Sequence, residues 1–404
     1  MTTGYNAGLD TSDVKISYAT ESSWATIPAA VFQQLRITAE DFMAEKTRTR
    51  PLEINPLGYA QHAITTQESA KGSINFGLSY GTFDDFIAGA LNSQWSTPLE
   101  LQGVAGDITI TEGTNVLSST TTGKFTGVTV GQWIRLAGFT NTINNGVFQV
   151  ASVTDNDHLV LTGATGAPNF VTETPAAATA GIRGSFIQNS NLVTTFSVEK
   201  QLASALFLQY VGCYVSSCQL TMAVGKFVEG VMNFLVQGQQ SAVVEAGTAP
   251  PTPAPLGRII DNISGFSAFA VNGAAPLAVL MSVDLTISKQ RSASQYGIGS
   301  ANAVGMRRGT LQVDGKLSLF FKDFTYFNDF VNEPDLSISW QLTDNLGNAY
   351  IFTLPCVSIM NPSIVAKGID QDIVAEFTLE GNPAPATNVD FAGVTIMISR
   401  IPAT

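Results

Sequence analysis

The chain has 404 residues, room for two or three ordinary domains, and its 45% hydrophobic content excludes a disordered polypeptide. Only 13% of residues are charged and the formal net charge is −12, which argues against a sequence-reading nucleic-acid binder, because neutralising phosphates needs clustered Lys and Arg. So few charges on so apolar a chain point to a surface largely covered by other subunits. The 36 glycines and the scarcity of long Leu/Glu/Lys/Arg periodic stretches indicate mainly β structure, and three cysteines make no disulfide framework. Residues 1–30 carry no basic and apolar secretory signal, and no apolar run reaches the roughly 18 residues that span a bilayer, so the sequence reads as a protein made in a cytoplasm without a membrane partner.

Residues 1–27 are rich in Gly, Ser, Thr and Asp and read as an extended arm, disordered or lying on a neighbour. Leu35-Arg-Ile-Thr38 begins a strand. Residues 43–70 then form a long irregular excursion carrying Lys46, Arg48 and Arg50, and loops of such length inside a domain are usually functional. Next comes Gly72-Ser-Ile-Asn-Phe-Gly-Leu-Ser-Tyr-Gly-Thr-Phe-Asp-Asp-Phe-Ile-Ala-Gly-Ala-Leu91. Ile74, Phe76 and Leu78 alternate as in a strand, whereas Phe83, Phe86 and Ile87 have helical spacing, with Thr82 as the N-cap. Asp84 and Asp85 read as the exposed face of that helix.

The stretch from Gly315 to Val331 repeats this pattern. Setting Gly72 on Gly315 puts Ile74 on Leu317, Phe76 on Leu319 and, after one extra residue, Phe83 on Phe327 and Phe86 on Phe330, with Thr325 as the second N-cap. A longer match needs no gaps: residues 207–238 lie over 350–381, which places Cys213 on Cys356, Phe234 on Phe377 and Gly238 on Gly381. The matched cysteines read as small buried hydrophobes. A second long basic loop lies between Ile287 and Thr310 and holds Lys289, Arg291, Arg307 and Arg308. Seven of the twenty Lys and Arg residues thus sit in the two loops.

The first unit is interrupted: 152 residues separate Phe86 from Gly238, but only 51 separate Phe330 from Gly381. The surplus, residues 101–187, carries short alternating strands at Asp107-Ile-Thr-Ile-Thr, Trp133-Ile-Arg-Leu, Gly146 to Val153 and His158 to Thr162, with a tight-turn signal at Asn144-Asn-Gly146. The fold expected is mainly β: two tandem β-sandwich or barrel domains, each with a short helix, plus an inserted small β-barrel. The boundaries are an arm at 1–27, a first domain at 28–100 and 188–245, the insert at 101–187, a Pro-rich semi-rigid linker at 246–258 and a second domain at 259–404.

No catalytic constellation emerges. Gly77-Leu-Ser79-Tyr-Gly81 matches a nucleophile elbow in letter, but no parallel βα units surround it, His62 and His158 are the only histidines, and Lys322 stands at the repeat's equivalent of Ser79. Gly297-Ile-Gly299 lacks the helix and acidic residue of a dinucleotide site, and Asp155 and Asp157 read as turn residues, so no cofactor or metal is expected.

Gly72 to Phe86, Val224-Gly-Lys-Phe-Val-Glu-Gly-Val-Met-Asn-Phe-Leu-Val-Gln-Gly238 and Asp344-Asn-Leu-Gly-Asn-Ala-Tyr-Ile-Phe-Thr-Leu-Pro355 together give a chain that resembles the major tail tube proteins of long flexible-tailed bacteriophages, here with a duplicated tube domain. The resemblance spans most of residues 28–385. Val130-Gly-Gln-Trp-Ile-Arg-Leu-Ala-Gly-Phe139 and Asn144-Asn-Gly-Val-Phe-Gln-Val150 look like small barrels of other phage tube subunits. The resemblance implies a structural virion protein, not an enzyme. Its subunits would close into rings, here three chains with pseudo-sixfold symmetry, and the rings would stack into a helical tube through which DNA is ejected. The implied partners are further copies of the chain, the tape measure protein and duplex DNA in the lumen, and the tail terminator and tail tip proteins. The basic loops, Lys46, Arg48, Arg50, Lys289, Arg291, Arg307 and Arg308, are expected to carry ring-on-ring contacts, and the insert to face outward. Another assembled virion shell protein, such as a capsid decoration protein or an adhesin, is the alternative.

Overall fold

A computed structural model describes residues 8–54, 56–366, 368–388 and 390–403. The alternating stretches become antiparallel strands in one nearly continuous sheet. The first run comprises β1 (Lys15–Thr20), β2 (Gln33–Gln34), β3 (Ala39–Glu40), β4 (Met43–Thr49) and β5 (Ile64–Gly77), followed by helix α1 (Asp84–Leu91). Then come β6 (Leu99–Gln102), β7 (Ile108–Thr111), β8 (Val116–Ser119), β9 (Trp133–Ala137), β10 (Gly146–Asp155), β11 (His158–Thr162) and β12 (Gly181–Gln188). The chain continues through β13 (Phe196–Ala203), β14 (Leu206–Ala223), β15 (Glu229–Val236) and β16 (Gly238–Ala242). The last stretch holds β17 (Phe266–Val271), β18 (Leu280–Gln290), β19 (Ala293–Gln295), β20 (Gly305–Arg307), β21 (Thr310–Phe320), helix α2 (Thr325–Asn332), β22 (Leu336–Thr343), β23 (Ala349–Val365), β24 (Val374–Gly381) and β25 (Met397–Ile401).

The two halves pair their strands in the same order. The first runs β1-β13-β14-β15-β5-β4, and the second runs β17-β22-β23-β24-β21-β18. Strand order agrees where residue register does not. Gly72 lies opposite Phe234, but Gly315 lies opposite Leu379. Val215 faces Phe234, whereas Ser358, its match at constant spacing, faces Glu380. The bulges at Val215/Ser217 and Met360/Ser363 each absorb one residue, yet Ser358 faces Glu380, three residues beyond Phe377, the partner the sequence match assigns it, so a gapless sequence match does not carry through the ladder.

Both strand–helix units form, with corrected caps. Phe83 and Phe324 occupy the N-cap positions without side-chain capping, and Asn92 and Glu333 close the helices in the left-handed region. The helices therefore superpose Phe83 on Phe324 and Phe86 on Phe327, three residues away from the sequence match. Thr82 instead bonds Ser79 through their hydroxyls at 2.7 Å, and Thr325 is already helical, its N–H donating to Asp323 Oδ1. Ile74, Phe76, Phe83, Phe86, Phe234, Leu317, Leu319 and Phe377 all lie in one large core. Phe327 and Phe330 are only half-buried, because α2 turns Tyr326 toward the core instead. Gly72 faces the Phe42 ring, where an added Cβ would lie 2.3 Å from a ring carbon, so the repeated glycine admits an aromatic on the strand's inner face.

Three segments depart from the sequence expectations. Residues 15–20, placed in an arm, form β1, an integral strand on β13. Residues 35–38 are not a strand; the short β2 and β3 flank them. The excursion at 43–70 is mostly a β-hairpin, with β4 pairing β5 from Met43–Lys71 out to Thr49–Ile64.

Residues 101–187 have a hydrophobic core of their own, including Ile110, Leu117, Ile134, Val150 and Leu161. This body is also bolted to the second half. β12 pairs β25, Trp133 packs on Ala349, Ile351 and Ile401, and its Nε1 donates to Thr353 Oγ1 at 3.0 Å. The Pro-rich segment is docked, with Thr252 exchanging backbone hydrogen bonds with Phe32 and Gln34.

Candidate assembly surfaces

The halves meet through a strand junction. Ser217–Ala223 of β14 pairs antiparallel with Ser282–Ser288 of β18, producing the run β4-β5-β15-β14-β18-β21-β24-β23. In the strand correspondence β18 is the counterpart of β4, and the latter part of β23 is the counterpart of the β14 segment that holds β18. Among the described residues, neither the outer edge of β4 nor that side of β23 beyond Val357 has a strand partner. The chain thus makes one junction internally and presents its two complementary halves at opposite ends of the run. Both edges carry features that discourage indiscriminate pairing: charges along β4, and on β23 the left-handed Asn361 followed by Pro362.

Alternation gives this run two unlike faces. Ile74, Phe76, Met232, Leu220, Leu285, Leu317 and Phe377 point into the core. The opposite face carries Ser73, Asn75, Asn233, Gln219, Thr286, Ser288, Ser318 and Thr378, registered beside one another across the strands. Its ionic groups are mainly carboxylates: Glu45, Glu229, Asp284, Asp314, Glu376 and Glu380. The lysines on it are neutralised across strands, Lys71 by Glu45 at 2.6 Å and Lys316 by Glu376 at 2.8 Å.

The basic residues do not form one kind of surface. Lys46 crosses the hairpin to Glu68 at 2.7 Å, while Arg48 and Arg50 donate to the carbonyls of Ala63 and Gln61. In the second loop Arg307 donates to the Arg291 carbonyl and Arg308 to that of Asn191. That loop also folds back on the first half, where the Glu68 N–H donates to Ala301 O. Lys289 is not available to a neighbour. It is buried, 3.8 Å from the Tyr214 ring centroid, and its Nζ donates to Gly89 O at the end of α1. Burial, with Arg308 nearby, pulls its pKa down to about 6.

A second buried polar cluster locks α1 to the C-terminal strand. Asp84, read from sequence as solvent-facing, is buried and receives the Arg400 guanidinium and the Tyr350 hydroxyl. The Gly81 N–H donates to that hydroxyl at 2.8 Å, and Arg400 stacks on Trp95 with its Cζ 4.8 Å from the ring centroid. Desolvation raises the Asp84 carboxyl against the opposing pull of Arg400 and Tyr350. Asp85 is held separately by the Tyr18 hydroxyl at 2.9 Å.

Ser79 is fully buried against Thr82, and neither histidine is near it: His62 lies in the hairpin and His158 bonds Asp155 in the insert. Cys213, Cys218 and Cys356 are free and buried, and burial pushes their thiols upward, Cys218 to about 12 and Cys356 to about 11, as for unreactive core residues. No helix among the described residues is long and apolar enough to cross a membrane.

The model of a phage tail tube protein family matches residues 11–381. The chain belongs to that family: it is a structural protein of the virion tail, and the family implies self-assembly into a tube. No curated protein matches it. Among solved structures it is similar to a phage phi92 endosialidase at a TM-score of 0.18 and 9% identity, covering 98% of this chain and 59% of that one, a likeness too slight to carry any argument.

Proposed function

We propose that three copies close into a ring in which each half fills one of six near-equivalent places, and that such rings stack into the conduit through which phage DNA is ejected. The β14–β18 junction carries this reading. A chain that joins its own halves by one strand pairing, and leaves the matching edges of β4 and β23 open, repeats that pairing between chains, and a repeated heterologous contact closes when its rotation divides a full turn. The duplicated unit would then have arisen from a single tube domain.

In the closed ring the polar face of the run lines the bore. Hydroxyl and amide groups let a hydrated duplex pass, and carboxylates with neutralised lysines give a polyanion nothing to adhere to. The tape measure protein would occupy the same bore before ejection, and the tail terminator and tail tip proteins would cap the stack. The insert lies on the outside, on the core side of the sheet. Arg48 and Arg50, at the hairpin end, serve ring stacking, a role Lys289 does not share.

Negative-stain microscopy of the purified chain tests this reading. Hollow rods are expected, and Arg48→Glu with Arg50→Glu is expected to leave folded rings or monomers that do not stack. Persistently monomeric wild-type protein, or normal rods from the double variant, would contradict the tube reading or the stacking role respectively.

A further inference from the structure

One residue away from the sequence match, β13–β14 and β22–β23 do share a register. The pair Phe196–Cys213 gives way to Val198–Tyr210, and Leu336–Val357 gives way to Ile338–Leu354, through the same bulge. Tyr210 thus corresponds to Leu354 and, at the same spacing along each strand, Leu206 to Tyr350. The strands on the far side agree: β16 sets Ala242 opposite Phe207 and β25 sets Ser399 opposite Ile351, so Val243 corresponds to Arg400. Phe83 and Phe324 are the helix N-caps, so Asp84 corresponds to Thr325. Within the chain, Tyr350 and Arg400 of the second half seat on Asp84 of the first half's helix. At the corresponding positions all three members of that polar lock are lost together.

What replaces the lock is apolar on both sides. Leu206 and Val243 are 48% and 72% exposed, and with Leu202, Phe207, Leu208 and Val244 they line an open apolar groove. Around Thr325, the rings of Phe321, Phe324, Phe327 and Phe330 form a stripe with successive centroids 5.5, 5.9 and 6.1 Å apart, and Phe324 is 61% exposed. Helix α1 is buried from Phe86 to Leu91, whereas Tyr326 is the buried residue of α2. We infer that the Phe324 edge of α2 seats in the Leu206–Val243 groove of the next copy around the ring. This rests on the ring reading, and adds the side chains that close the ring. Repeating the internal joint between chains brings β14 and β16 of one copy to the α2 of another, as β23 and β25 come to α1 within a chain. Concerted loss of the lock fits two surfaces that meet, since an arginine kept at position 243 would be buried against phenylalanines without a carboxylate. An apolar joint also suits partners that meet as free chains, because neither side has to strip water from a charge before the other arrives.

The test uses the full chain with Phe324→Cys and Val243→Cys together, assembled and then oxidised, with each single variant as control; the three native cysteines are buried. The double variant is expected to give disulfide-linked dimers and trimers on a denaturing gel and nothing larger, and the single variants no linked species. Separately, Val243→Glu is expected to leave circular dichroism unchanged and abolish rods. Wild-type rods accompanied by no linked species from the double variant, or by normal rods from the glutamate variant, overturn this contact and leave the ring reading standing. Linked species of more than three chains uphold the contact and overturn the three-chain ring. Absence of wild-type rods overturns the tube reading and this contact with it.

Discussion

Asp84→Ala is expected to destabilise the chain by about 3–5 kcal/mol, the usual cost of removing one partner from a buried ion pair. The substitution strands the Arg400 guanidinium between Trp95 and Tyr350, removes the acceptor for the Tyr350 hydroxyl, and takes an acidic group from the first turn of α1. Because Arg400 belongs to β25, which pairs both β23 and β12, the loss loosens the C-terminal strand and the attachment of the insert together. Urea unfolding at neutral pH measures it. Adding Arg400→Met to Asp84→Ala should recover part of the loss, since removing both charges leaves neither unpaired. A single-variant cost below about 1 kcal/mol would mean that the buried pair is not the lock described.

Lys289→Met is expected to stabilise the protein at pH 7 by a few kcal/mol and to flatten its pH dependence. The folded chain holds this amine at about 6 against an ordinary 10.5. Between those values the unfolded chain binds a proton that the folded chain lacks, so wild-type stability rises with pH from about 6 and levels off near 10.5. Below about 6 both states are protonated and the full penalty of burying the cation remains. Methionine keeps the length and packing over Tyr214 and gives up only the hydrogen bond to Gly89 O, worth about 1 kcal/mol. Denaturation midpoints of both proteins at several pH values decide it; parallel curves would contradict the buried-amine account.

Local pattern made the strand–helix units legible, since Ile74, Phe76 and Leu78, then Phe83 and Phe86, announce their periods within twenty residues or so. The insert's strands at Trp133, Gly146 and His158 were equally plain. What sequence hid depends on distant partners. Adjacent carboxylates at Asp84 and Asp85 look like a solvated face, and Arg400, which reverses that for Asp84, stands 316 residues away. The β4 arm looked like a loop because Met-Ala-Glu-Lys-Thr-Arg-Thr is exposed along its whole length, so neither face needs apolar residues. Lys289 looked like one more loop cation because nothing local shows that Tyr214 and Gly89 enclose it. The β14–β18 junction had no signal either, as β-edge pairing is written in backbone, and the shifted partner of Ser358, Glu380 instead of Phe377, shows that even a gapless match does not fix register.

The number of chains per ring tests the central claim most directly. Mass per unit length of assembled rods by scanning transmission electron microscopy, divided by the axial ring repeat and the chain mass of 42.7 kDa, counts them. The two-domain closure through β4 and β23 predicts three; six chains per ring would place one half of each chain away from the bore and contradict the account.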